Sequence, residues 1–381
     1  MAIIQQLLFS ILPFVVVLSI VVFVHEFGHF QAARLRKVAV DTFSIGFGKA
    51  IVRWRDKSGV NWKIGALPLG GYVKFADDRD GISMGPSEQI EDPAAKAEAR
   101  AKGMFHAQSV LTRAIVVAAG PFTNFVFAIA VFAFLLMLVG RDPPRVDGVP
   151  ANMPAAHAGL REGDVIRAFN GQSVDSFRGL QMAIVNGGAN TATVSYQRGD
   201  RILSAVITPA TIEGRPALGI THVSDPSKFQ PISPLAALQG GAQQTWDLVA
   251  STGIYLYGMV TGKNSGHDIA GPLGILSASG QVAAGALSGP QTPSDAAISL
   301  VLSLLNFAAM LSVAVGLVNI LPIPILDGGH LMFYLIEGLR GGRPLPPAAQ
   351  EWAFRAGLAV MASLFLFATW NDITRHLWSQ G

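Results

Sequence analysis

The feature that most constrains this 381-residue chain is an uncharged apolar run, Leu7 to Val24, that passes without a break into His25-Glu26-Phe27-Gly28-His29. The run has about the length that a bilayer core requires and reads as a transmembrane helix. On a helix, positions i and i+4 share a face, so His25 and His29 can aim their imidazoles at one metal ion. Neutral imidazole suits Zn²⁺, and two histidines leave room for a third ligand and a water. Glu26 lies beside them, placed to take a proton from that water as general base. A chance match is the competing reading of so short a motif. Two histidines and a carboxylate next to a membrane-length run are costly there unless they act. A cleavable signal peptide is a second competitor. No positive region precedes the run, no small-x-small site follows it, and cleavage would discard the motif.

Half of the residues are hydrophobic and 14% are charged, with a mean hydropathy of +0.42. Soluble domains carry about 25% charged residues, so the composition is that of a membrane protein. A net charge of +3 gives no argument for a nucleic-acid partner. The absence of cysteine excludes disulfides and thiolate ligands, so a metal site must use His, Asp or Glu.

Four apolar spans are expected: the first within 1–30, then 114–139, 296–321 and 352–370. Residues 31–113 hold 14 Lys/Arg against 9 Asp/Glu, whereas 141–295 hold 10 against 11. The positive-inside rule then puts 31–113 in the cytoplasm and both termini outside. Within that loop Thr42 to Phe75 reads as strands, with Phe43, Ile45 and Phe47 alternating and a Lys57-Ser58-Gly59 turn. Such a sheet could pair with an unwound peptide as an added strand, or could serve as a structural cover. Asp77 to Lys102 reads as a mobile loop with a short helix. In the second span Gly120-Pro121-Phe122-Thr123-Asn124 loosens the helix and places an amide at membrane depth, for helix packing or for function.

Residues 143–221 have the composition of a soluble module. Ala158-Gly159-Leu160, Gly163-Asp164-Val165-Ile166 and Asn170-Gly171 resemble the PDZ domains of bacterial proteases, which hold peptides in a groove; His157 reads as a surface residue there. Residues 235–295 read as an interfacial helix over Leu235 to Gly262, a turn or re-entrant piece at Gly271 to Ile275, and a loop from Gln281 to Asp295. The third span ends in Asn319-Ile320-Leu321-Pro322-Ile323-Pro324-Ile325-Leu326-Asp327-Gly328-Gly329-His330, opening a segment 322–350. Asp327 is the natural third ligand, or a helix N-cap, or both. His330 offers a fourth ligand or a supporting position.

The order and spacing of His25-Glu26-Phe27-Gly28-His29, Gly120 to Asn124, the PDZ-like insert and Asn319 to His330 resemble the site-2 protease family of intramembrane zinc metalloproteases, with its sigma-E-regulating bacterial members nearest. The resemblance implies a polytopic α-helical membrane protein with a cytoplasmic membrane-associated β-sheet and one extracytoplasmic PDZ domain, in a bacterial inner membrane. It implies His25, His29 and Asp327 as Zn²⁺ ligands, Glu26 as base, and Asn124, Pro322, Pro324, Gly71 and Tyr72 as substrate-positioning residues. Implied partners are single-span membrane proteins such as anti-sigma factors and remnant signal peptides, peptide or protein C-termini at the PDZ groove, and membrane lipid. Some relatives carry two tandem PDZ domains; this chain has one convincing copy. The residues alone leave a zinc transporter or sensor, and a scaffold with structural zinc, as other classes.

Overall fold

The computed structural model describes residues 2–76, 92–212, 215–223, 229–263, 266, 269–288 and 292–378. They fall into two compact units, Met1–Phe132 with Gly240–Gly381, and Ala133–Gln239. In lipid the backbone finds no outside hydrogen-bond partner, so an apolar run must close its own bonds as a helix. The first such helix is α1 (Ala2–Leu35), which carries the histidine motif in its last third. It ends where Lys37 adopts a φ of +59° and the Val38 amide donates to the Ala33 carbonyl, a left-handed C-cap.

Two long, bent strands follow, β1 (Val40–Arg55) and β2 (Asn61–Phe75). The first part of β1 pairs with Gly71–Phe75 on one side and with Asn61–Ile64 on the other, and Asn61–Ile64 pairs in turn with Val52–Arg55. Two strands therefore supply four segments side by side. Phe43, Val73 and Phe75 bury against Phe30 of α1 and against Phe105, Val116 and Val117, which fixes the sheet beside the motif. A short α2 (Pro93–Ala101), capped by Asp92, leads to α3 (Val110–Val139), which continues through Pro121. The expected mobile loop begins at 77, and its stretch 77–91 lies outside the described residues.

The second unit contains α4 (Pro154–His157), β3 (Val165–Phe169), β4 (Gln172–Ser173), α5 (Phe177–Gly187), β5 (Ala192–Arg198), β6 (Arg201–Ile207), β7 (Ala210–Ile212) and β8 (Arg215–Ala217). Its main sheet has the order β4-β3-β5-β6, over a core that includes Ile166, Phe169, Leu180, Val194 and Leu218. The sequence signatures have local causes. Asn170 and Gly171 both take positive φ, the turn chemistry of a two-residue hairpin, here joining β3 to β4. Asp164, 1% exposed, accepts from the Arg161 amide at 2.8 Å and from the Arg198 guanidinium at 2.8 Å.

The chain closes with α6 (Pro234–Val260), α7 (Pro272–Ala286), α8 (Pro293–Ile320), α9 (Asp327–Leu339) and α10 (Pro347–Trp378). Among the described residues, four segments are long and apolar enough to cross a membrane: Ser10–Leu35, Val110–Val139, Pro293–Ile320 and Pro347–Thr374. The structure corrects one reading: where a turn or re-entrant piece at 271–275 and a loop from 281 were expected, the chain forms one helix, α7, through Ala286. Ser279, Gly280, Ala283 and Ala286 are its buried residues, on one packed face of the helix. A Cβ at Gly280 would overlap Ser10, and Ser279 Oγ donates to the Ser10 carbonyl at 3.2 Å. Small side chains let helix backbones approach within the membrane. Asp372 of α10 accepts from the Gly271 and Gly274 amides at 3.0 and 2.9 Å, tying down the N-terminus of α7.

Because the chain has no cysteine, single cysteines can test this helix cleanly. Ser279→Cys, a fully buried position, should resist a water-soluble maleimide in the native protein, and Gly285→Cys, exposed on the same helix, should label readily. Equal labelling of both would mean that 272–286 does not pack as described.

Candidate metal centre

Three side chains converge where α1, α3 and the start of α9 meet. His25 Nε2 lies 3.1 Å from Asp327 Oδ2, His29 Nε2 lies 3.4 Å from the same oxygen, and the two Nε2 atoms are 3.3 Å apart. All three residues are buried, and Asp327 Oδ2 has no hydrogen-bond partner. A tetrahedral Zn²⁺ with bonds of about 2.0–2.1 Å holds its ligand atoms about 3.3–3.4 Å apart. The observed triangle therefore has the dimensions of one face of a zinc tetrahedron, and the donor set of two imidazoles and a carboxylate suits the ion. Among the described residues these three form the one cluster of metal-ligating groups. His330 stays outside it. Burial pushes its imidazole down to about 4, and its Nε2 has no partner.

Each of the three side chains is aimed by its neighbours. His29 Nδ1 donates to the Val116 carbonyl of α3 at 2.9 Å, which leaves Nε2 as the lone-pair donor, the usual arrangement behind a metal-bound histidine. Its ring fits because position 120 is glycine: a Cβ there would overlap His29 Nε2. Gly28 plays the matching part on α1, since a Cβ would overlap the Ala119 carbonyl. His25 Nδ1 lies 3.1 Å from the side-chain amide of Asn124, which is fully buried. With Nε2 turned to a metal, Nδ1 would carry the ring proton and would donate to the side-chain Oδ1 of Asn124, which has no partner as placed. Turning the amide over preserves its shape and gives that oxygen its partner.

Asp327 arrives by a different route. Pro322 and Pro324 cannot extend α8, and the chain turns through Leu321 to Leu326 before α9 begins. Asp327 is the first residue of α9, and the N-cap position is Leu326, so the carboxylate is free to point inward. The tight return needs Gly328 and Gly329, whose absent side chains would overlap the Ile320 and Ile323 carbonyls.

A cavity of about 380 Å³ opens onto the cluster, lined by His25, Glu26, His29, Gly71, Tyr72 and Val73 among others. The Val73 backbone lies beside the Glu26 carboxylate. A Cβ at Gly71 would stand 3.0 Å from Glu26 Cγ and 2.8 Å from the Ser44 carbonyl, so glycine lets the strand run close against this side chain. The other expected substrate contacts are placed differently. Asn124 faces His25 and not the cavity. Pro322 and Pro324 shape the return to α9, while Asn319, Ile325 and Leu326 of the same segment line the cavity. Phe47, read from sequence only as a strand residue, lines it too, as do Val116 and Val117; as apolar residues in apolar surroundings the two valines carry no local signal.

Gly120→Ala should keep the fold's apolar contacts but push the His29 ring off its position. We expect bound zinc, measured by elemental analysis of the purified protein, to fall well below that of wild type. Gly253→Ala, where a Cβ meets only open space, should retain it.

A sequence profile described as peptidase family M50 matches residues 13–364. A protein of Agrobacterium fabrum, provisionally named a zinc metalloprotease, is 38% identical over 96% of this chain and 95% of its own length. The metalloprotease MmpA of Caulobacter vibrioides is 37% identical over 94% of both chains. Among solved structures, the PDZ domain of an SdrC-like protein from Listeria monocytogenes aligns at 30% identity over 20% of this chain and 83% of its own, with a TM-score of 0.19. Matched by this profile over most of its length and by near full-length relatives named as metalloproteases, the chain belongs to peptidase family M50 and is a zinc metalloprotease.

Proposed function

We propose that this protein cuts peptide bonds inside the membrane, within the transmembrane segments of single-span proteins, with His25, His29 and Asp327 as the zinc ligands and Glu26 as the catalytic base. The observation that carries the reading is the cavity: a metal triangle and a carboxylate share one buried space among long apolar helices. When bound there, zinc supplies Lewis acidity and lowers the pKa of a water toward neutrality. Glu26 takes a proton as the water oxygen attacks the scissile carbonyl carbon, and it returns that proton to the amide nitrogen as the C–N bond breaks. One water is consumed, and the products are a carboxylate and an amine.

The hydrogen bonding of a helix supports an extended substrate, because each carbonyl inside a helix is engaged by an amide four residues on. A transmembrane helix would have to unwind before its carbonyls could reach the metal. Unwinding strips intrahelical hydrogen bonds, and strand addition beside Gly71, Tyr72 and Val73 would replace some of them. Asn124 serves the reaction through His25, by orienting that ligand.

In this reading the basic segment 31–113 is cytoplasmic and the unit 133–239 lies on the outer side of a bacterial inner membrane. That unit acts as a PDZ domain binding peptide or protein C-termini, on the strength of its Gly163-Asp164 and Asn170-Gly171 signatures. Anti-sigma factors and remnant signal peptides are the substrate classes that fit a single-span requirement. A closed structural zinc site would need four protein ligands, and among the described residues three converge.

Purified wild-type protein should cleave a tagged single-span helix, and Glu26→Gln should hold the same zinc yet lose at least about 10²-fold in rate, the scale of a lost general base. Zinc binding by both proteins with no cleavage of a panel of such helices would sink the proposal. Asp327→Ala should lose zinc as well as activity; unchanged zinc content would remove Asp327 from the ligand set.

A further inference from the structure

Arg113 and Glu337 form an ion pair between distant parts of the chain. Arg113 Nη2 lies 2.6 Å from Glu337 Oε1, and both side chains are only 9% exposed. Arg113 Nε also donates to the Gln108 carbonyl at 3.3 Å, and the guanidinium sits 4.7 Å from the centre of the Tyr334 ring. A buried ion pair contributes little net stability, because desolvation offsets most of its attraction. Its value lies in fixing one arrangement among near-equal alternatives.

What this pair fixes follows from its two ends. Arg113 stands three residues before Val116, whose carbonyl orients His29. Glu337 stands on the helix that begins with Asp327, about 15 Å further along its axis at 1.5 Å per residue. The near end of that helix is seated on Gly328 and Gly329. Glycine contacts set how closely the helix approaches, but they offer no side chain to resist rolling. A metal ligand must be placed to within about 0.2 Å, and at a helix radius of about 5–6 Å a roll of only about 2° moves a side chain that far. Asp327, His330, Tyr334 and Glu337 lie along one side of α9 by their spacing. Of these, Glu337 has a charged partner on α3.

We propose that the Arg113–Glu337 pair is a positioning clamp for the metal centre, holding α9 against α3 so that Asp327 meets His25 and His29. The inference rests on the metal-centre reading above and concerns residues that touch neither zinc nor substrate.

The test uses the full chain, purified with its zinc, and follows metal release to a chromogenic chelator beside thermal unfolding. Removing one partner alone would strand a buried charge, so both are replaced. Arg113→Met with Glu337→Leu keeps the volume apolar, and such replacements are often neutral for stability. The double variant should unfold near the wild-type temperature but release zinc about tenfold faster, the scale seen when groups supporting metal ligands are lost. Release at the wild-type rate would overturn the clamp. Arg113→Lys provides a second reading that keeps the charge. One ammonium cannot hold the Gln108 carbonyl, Glu337 and the Tyr334 ring in the fork geometry of arginine, so release should again be several-fold faster, and a wild-type rate here overturns the clamp too. A wild-type protein that binds no zinc would instead sink the metal-centre reading, a separate and recognisable result.

Discussion

Three lone-pair donors, one of them a carboxylate oxygen, stand within 3.1–3.4 Å of one another among helices apolar enough to span a membrane. Such a cluster carries a high desolvation cost and gains little from its own members unless a cation joins them. The surrounding structure is arranged to make that cost tolerable. One face of α1 supplies the two histidines, the Val116 carbonyl and the Asn124 amide of α3 turn both rings, and the break after α8 delivers Asp327. None of the three donors sits on a long flexible side chain.

Holding that geometry requires helices that touch closely, and in lipid the burial of apolar surface does not draw helices together as it does in water. Close contact comes here from missing side chains. Gly28 and Gly120 let α1 and α3 meet at His29. Ser312 donates to the Asn124 carbonyl at 3.1 Å, and one turn on, a Cβ at Gly316 would stand 3.2 Å from Asn124 Cβ. The α3 backbone behind the ligand histidines is thus gripped from both sides. The sheet adds a third wall, because Gly71 lets β2 run against Glu26.

Much of this was legible in the sequence where chemistry and periodicity coincide. The His-Glu-x-x-His spacing, the apolar runs and the Pro-x-Pro break before Asp327 each rest on one local rule, and the structure brings His25, His29 and Asp327 together. The contributions of Gly28, Gly120 and Gly328 were not legible, since a glycine's purpose lies in whatever occupies the space its side chain would fill. Asn124 was noticed but its place against His25 was not foreseen, because a polar residue at membrane depth does not announce which neighbour it meets. The helix α7 was read as turn and loop because Gly, Ala and Ser signal flexibility in water, whereas between membrane helices they signal contact.

The two histidines and the aspartate stand near opposite ends of the chain, and this separation sets a clock. A chain made at roughly 5–20 residues per second needs about 15–60 s to pass from His29 to Asp327. On the proposed assignment, the nascent protein holds two histidines and Glu26 throughout that interval, with the third ligand not yet made. The proposed centre would thereby be silent during its own synthesis. It becomes competent only when the last third of the chain has threaded in and folded back upon the first.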